Sequence, residues 1–353
     1  MHTRILPLLL VSVACISTCT PVVGAAELPV FTDPVQAGPE FLVQGEYVGK
    51  VGGELPVGIQ VIAVGKHQFL GVLYPGGLPG AGWEERRVFH FQGETRDGAT
   101  PFHGVHGERL MYTNHDFQGL ISDNVITGQA SMFRNRFQDV TLRLSKVHRK
   151  SPTLHAKPPK GALVLFDGSS VKEWEAGRLV DGDLLGEGTI SKRRFGSLQI
   201  HLEFRCPFAP LRRGMHRGNS GLYVKQEWEV QIIDSFGWHH ENRKFERLSK
   251  FGRCAGIHEM AGPRINMSFP PLAWQTYDID FAMAVFDGQG NKTAPAMMSV
   301  RHNGVLVHDQ FVLPAVSPGV DLSKSKERDT GPLHLQDHGN PVRFRNIWIM
   351  EGN

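Results

Sequence analysis

From Trp228 to Asp234 the chain reads WEVQIID, with apolar Trp228, Val230 and Ile232 alternating with polar Glu229 and Gln231. A period of two puts one set on each face of a β-strand. The alternation returns in GPLHLQD, residues 331–337, where Leu333 and Leu335 oppose His334 and Gln336. Strand-length runs also occupy residues 198–206, 220–225, 275–283, 296–313 and 342–350. Within 296–313 the Asn303-Gly304 pair marks a hairpin, because both positions tolerate positive φ. Earlier in the chain, 59–65, 69–77, 87–94 and 140–147 are strand-like runs separated by Gly and Pro. No segment carries a long helical period. The pattern predicts an all-β protein, with a small antiparallel β domain over residues 27–150 and a larger two-sheet sandwich or jelly roll over 163–353. Between them SPTLHAKPPKGA, residues 151–162, reads as a linker, with three prolines, two lysines and no hydrophobic period.

Composition changes this picture little. The 353 residues are 41% hydrophobic and 21% charged, which is ordinary globular content with room for two domains. A net charge of +3 with no basic stripe speaks against nucleic acid as a partner. The first residues matter more. Basic Arg4, an apolar run from Ile5 to about Ile16 and small Gly24, Ala25 and Ala26 follow the plan of a secretory signal peptide over residues 1–26. Export to the periplasm or medium is expected, with no membrane span after cleavage. Two of the four cysteines lie in that segment, leaving Cys206 and Cys254. An oxidising compartment permits them to pair, and the sequence leaves open a disulfide or two small buried thiols.

Candidate chemistry is concentrated in three stretches, 216–240, 254–260 and 332–346. They offer Arg217, Asn219, Glu229, Gln231 and Asp234, the segment CAGIHEM, and then His334, Gln336, Asp337, His338, Asn340 and Arg343. A row of carboxylate and amide side chains on one strand face suits a groove for a hydroxyl-rich ligand; the competing reading is a solvated sheet face. The polar faces of 228–234 and 331–337 are expected side by side. Asp337 and Asn340, beside Gly339 and Pro341, also suit a turn. His239 and His240, in a charged run, read as exposed loop residues. A divalent metal held by His334, Asp337 and His338 is disfavoured, since neighbours on a strand point apart. There is no Gly-rich phosphate loop, no nucleophile elbow and no nicotinamide site.

Five blocks in order, 163–175, 218–235, 274–281, 300–309 and 331–349, resemble the 3-keto-disaccharide hydrolase domain family, also called 3-keto-α-glucoside 1,2-lyase/3-keto-2-hydroxy-glucal hydratase. The likeness covers roughly Gly161 to Met350 and is similar to exported members abundant in planctomycete bacteria, where an extra N-terminal β domain also occurs. It implies a concanavalin-like jelly-roll β-sandwich and chemistry on sugars oxidised at carbon 3. A C3 ketone acidifies the C2 proton, so a base can remove it while the C1 aglycone leaves, and water can re-add to the resulting glucal. At the positions that the resemblance supplies, side-chain chemistry suggests Glu229 as base or metal ligand and His334 or His338 as acid/base partner. Arg217 or Arg343 would steady the enolate, and Asn219, Gln231, Asp234, Gln336 and Asp337 would hold the sugar. Oxidation at C3 falls to a separate sugar 3-dehydrogenase. The stretch 237–252 is longer and more charged than a minimal family loop, and CAGIHEM departs from a Cys-Gly-Gly-like block. The rival expectations are a lectin-like binding protein without catalysis and a conventional glycosidase, which needs two opposed carboxylates.

Overall fold

The computed structural model describes residues 28–85, 88–105, 116–132, 137–238, 249–318, 320 and 327–352. The expected signal segment and the loop histidines His239 and His240 lie outside the described residues.

After a short helix α1 (Gly38–Val43), eight antiparallel strands close into a barrel. They are β1 (Gly45–Val51), β2 (Leu55–Gly65), β3 (Gln68–Pro75), β4 (Phe89–Glu94), β5 (Thr100–Gly104), β6 (Asp116–Ser122), β7 (Val125–Met132) and β8 (Phe137–Val147). β1 pairs with both β2 and β8, which leaves no open edge. Alternate residues such as Tyr47, Ile59, Val61, Phe69, Phe91, Phe102, Leu142 and Leu144 fill the interior. The predicted small antiparallel domain is therefore a closed barrel.

The second half begins with β9 (Leu163–Phe166), β10 (Trp174–Glu175), β11 (Leu179–Val180), β12 (Leu184–Gly186), β13 (Thr189–Phe195), β14 (Leu198–Arg205), β15 (Ser220–Val224) and β16 (Trp228–Ile232). It continues with β17 (Gln275–Ala282), β18 (Val285–Phe286), β19 (Lys292–Ala294), β20 (Met297–His302), β21 (Val305–Val312), β22 (Gly331–Leu335) and β23 (Arg343–Glu351). One sheet has the order β10-β13-β22-β15-β16; the other has eight strands, β11-β12-β23-β14-β17-β20-β21 with β9 also paired to β23, while β18 and β19 form a separate ribbon. The two larger sheets are the layers of the jelly-roll sandwich. Trp228, Val230, Ile232, Leu222, Leu333 and Leu335 from the first meet Ile200, Leu202, Phe204, Tyr277 and Ile279 from the second in one core. Asn303 and Gly304, at φ 50° and 79°, turn β20 into β21 as the hairpin pattern required.

The barrel is packed against the sandwich. Phe208 and Leu272, from sandwich loops, join the barrel core, and Phe236 packs with Ile62 and Val72. Arg149 holds Glu46 by two hydrogen bonds of 2.6 and 2.7 Å and stacks over the Phe269 ring at 5.0 Å. The proline-rich linker is pinned to the outer face of the eight-stranded sheet. Ser151 Oγ lies 2.6 Å from Thr276 Oγ1, Thr153 Oγ1 donates to Asp278 at 2.7 Å, and the His155 amide donates to Glu203 at 2.5 Å. Burial alone pushes the Glu203 carboxyl up, yet hydrogen bonds from His201, Asn346, Arg345 and this amide bring it down to about 2.

Candidate functional site

The inward apolar set of β16 fixes where its polar set goes: with Trp228, Val230 and Ile232 in the core, Glu229 and Gln231 face outward. The same logic sends His334 and Gln336 outward from β22. The two strands are not neighbours, however. β15 lies between them, so Tyr223 stands opposite both Glu229 and His334, and Gly221 opposite Gln231. Asn219, two residues before Gly221, continues that face.

Glu229 is 3% exposed. The Tyr223 hydroxyl donates to its Oε2 at 2.7 Å and accepts from Gln336 Nε2 at 3.4 Å. On the other side His258 Nδ1 lies 3.8 Å from the same oxygen. Oε1 lies over Gly221, where an added Cβ would come within 2.4 Å of it, so the absent side chain gives the carboxylate its seat. Burial pushes the Glu229 carboxyl up, opposed by the Tyr223 hydrogen bond and by the charges of His258 and His338. Burial and then the negative charge of Glu229 push the Tyr223 phenol up, so it stays protonated and keeps donating. The His334 ring lies tilted against that of Tyr223, centroids 5.4 Å apart, and its burial lowers its pKa, which keeps it neutral.

Beside this carboxylate lies a group of amides with unmet hydrogen-bonding capacity. Both polar atoms of Asn219, both of Gln231 and Oε1 of Gln336 are buried without a partner. A buried polar group left unpaired costs about 1–3 kcal/mol, so these atoms call for hydrogen-bond partners from water or from a ligand rich in donors and acceptors.

Other expected site residues have partners within the protein. Arg217 and Asp234 are buried against each other, Nε to Oδ2 at 2.5 Å, with the guanidinium also donating to the Ala63 carbonyl of β2 at 3.2 Å. Their charges meet each other and the barrel rather than a sugar. Arg343 begins β23 in the other sheet and is held by Asp181 at 2.7 Å and Glu187 at 3.3 Å. Arg343 is thus engaged by carboxylates of its own surroundings, whereas Nη2 of Arg217 is buried without a hydrogen-bond partner. Exposed Asp337 accepts the Gly339 amide at 2.8 Å and so builds its own turn, with exposed His338 beside it at the rim. Cys206 and Cys254 are both buried free thiols, and Cys254 Sγ lies 3.1 Å from the Tyr277 hydroxyl. Among the described residues no three His, Cys, Asp or Glu side chains converge to hold a metal ion, and no helix is long and apolar enough to cross a membrane.

Two residues at the centre of the site escaped the sequence reading. Tyr223 sits between Leu222 and Val224 and reads as core, although its parity matches Asn219 and Gly221. His258 lies in the flagged CAGIHEM stretch, but no periodicity distinguishes it there.

No curated protein matches the chain. Among solved structures it is similar to two candidate glycosyl hydrolases of Parabacteroides distasonis ATCC 8503. The first, solved at 2.13 Å, is 26% identical with a TM-score of 0.48, over 55% of this chain and 84% of that one. The second, solved at 1.70 Å, is 19% identical with a TM-score of 0.33, over 57% and 93%. Residues 161–350, more than half of the chain and every sandwich strand from β9 to β22, match the 3-keto-alpha-glucoside-1,2-lyase-like domain. The chain belongs to that family, and so to the carbohydrate-active proteins.

Proposed function

We propose that the protein cleaves 3-keto-glycosides by removing the C2 proton and expelling the C1 aglycone, with water re-adding to the glucal. The observation that carries this reading is a buried carboxylate with a raised pKa, flanked by unpaired amides. Among the described residues, the charged groups acting on Glu229 are the histidines His258 and His338. Hydrolysis of an unactivated glycoside calls for two carboxylates across the bond, whereas elimination next to a ketone calls for one base, donors at the enolate oxygen and an acid at the leaving oxygen.

Glu229 is the base, since a carboxyl raised by burial accepts a proton more readily near neutral pH. Its removal of the C2 hydrogen leaves negative charge on the C3 oxygen. The unpaired NH2 groups of Asn219 and Gln231 serve as donors to that charge. Gln336 holds a ring hydroxyl, and His338 at the rim gives a proton to the departing aglycone. Tyr223 keeps Oε2 oriented while Oε1 faces the substrate. The ketone comes from a separate sugar 3-dehydrogenase, and export of the chain fits substrates met outside the cytoplasm.

A second reading, sugar binding without turnover, is favoured by the same unpaired amides. Incubating the protein with a 3-keto-glucoside and with its unoxidised parent, with and without chelator, separates the cases. Release from the keto sugar alone supports elimination. Release from both favours a glycosidase, and binding without release leaves the lectin-like reading. Chelator sensitivity would bring a metal into the account.

A further inference from the structure

Resting on the elimination reading, a second question concerns the proton that Glu229 collects. Glu229 is 3% exposed, and before each new elimination it must give up the proton taken from C2, either back to C2 when water re-adds to the glucal or to solvent when the glucal leaves.

The loop after Cys254 supplies a route. Ile257 bridges to Val230, the Gln231 amide donates to the Gly256 carbonyl at 2.8 Å, and the His258 amide donates to the Glu229 carbonyl at 3.0 Å. The loop thus runs as an additional edge beside β16. Ile257 is buried in the sandwich core, so His258, next in sequence, is turned to the face that Glu229 occupies. Positive φ at Ala255 and Glu259, 65° and 55°, bends the chain into and out of this short pairing.

The consequence is an imidazole spanning from the buried carboxylate to the surface. His258 Nδ1 is buried, has no hydrogen-bond partner and lies 3.8 Å from Glu229 Oε2. Its Nε2 lies 4.0 Å from the Glu259 carboxylate, which is 63% exposed. Tyr223 approaches Oε2 from elsewhere, and a phenol whose pKa is pushed up by burial holds its proton and offers no exit.

We propose that His258 is the proton exit of the site. In the elimination the C2–H electron pair becomes the C1–C2 double bond, the C1–O bond breaks, and the C2 proton passes to Glu229. A side-chain rotation closes the gap, Nδ1 takes the proton from the carboxyl group, and Nε2 releases one to water beside Glu259. The aglycone oxygen takes up one proton at the groove mouth, so one proton leaves and one enters per elimination; where water re-adds to the glucal, its hydroxyl goes to C1 and a proton returns to C2 by the same route. The carboxylate is then restored for the next cycle.

The test compares wild type, His258→Ala, His258→Gln and Glu229→Gln for aglycone release from a 3-keto-glucoside, each with and without added imidazole. Both His258 variants are expected to lose about 100-fold in kcat, in the range of a proton-transfer group, with KM unchanged. Imidazole is expected to restore turnover in His258→Ala, which leaves space for it, and not in Glu229→Gln. Rescue also shows that the variant is folded. Wild-type kcat in either His258 variant, or a loss in His258→Ala that imidazole leaves untouched, overturns the exit while the elimination reading stands. Wild-type protein that releases nothing from the keto sugar overturns both.

Discussion

Tyr223 and Glu229 face each other across the β15–β16 pair, and the phenol donates to the carboxylate at 2.7 Å. This bond favours the ionised carboxylate and opposes the upward push of burial. Tyr223→Phe removes the opposition, so the acidic limb of the kcat/KM profile on a 3-keto-glucoside should move to higher pH. An unmoved limb would mean that Glu229 is not the titrating base.

Glu229→Gln should cost at least about 100-fold in turnover while sugar binding persists. It should also reveal a stability trade. The carboxyl is raised in the folded state, so the native protein binds more protons than the unfolded chain between the ordinary and the raised pKa. Stability is full below the ordinary pKa and declines as pH rises through the raised one. Thermal melts should therefore find Glu229→Gln more stable than wild type at about pH 7, with the gain shrinking toward about pH 4, near the ordinary carboxylate pKa. A variant less stable at neutral pH would contradict this.

Gly221→Ala introduces a Cβ 2.4 Å from Glu229 Oε1. It also comes within 2.9 Å of Cδ and Cγ of the same residue, all of them side-chain atoms, so relief requires the Glu229 side chain to change rotamer rather than the sheet to shift. Activity should fall by about tenfold or more, as expected when a reacting group is displaced, with the melting midpoint nearly unchanged. Equal loss of both would show that the glycine serves the sheet rather than the site.

Asp234→Ala strands the buried Arg217 guanidinium and should destabilise by about 3–5 kcal/mol, read from denaturant midpoints. Because Arg217 also bonds Ala63 of β2, loosening of the barrel, followed by hydrogen exchange along β2, should accompany the loss. Unchanged protection of β2 would assign the pair to the sandwich alone.

Much of this site was legible in the sequence where a period of two persisted. Glu229, Gln231, His334 and Gln336 were placed on the correct faces because their apolar neighbours must be buried. What alternation cannot supply is the order of strands across a sheet. The insertion of β15 between β16 and β22, and with it the position of Tyr223, depends on nonlocal pairing. Arg343 is close in sequence to His334, yet the chain crosses to the other sheet between them, which the local pattern does not reveal. β5 to β7 were not anticipated, since their short runs, broken by Gly119 and Gly128, carry too few apolar residues in phase. The all-β class needed none of this detail, because strand-length runs and turn residues recur along the whole chain.

The barrel's seat has a consequence for other sequences. Phe208 and Phe236 belong to the sandwich half of the chain, yet they pack among barrel residues such as Tyr47 and Ile62. A relative consisting of the sandwich alone would expose both rings to water, and drift there should replace them with polar residues. Aromatic residues at these two positions are thus a mark, readable from sequence alone, that a partner module is attached upstream. Deleting the barrel from this chain should accordingly yield an aggregating fragment rather than a smaller enzyme.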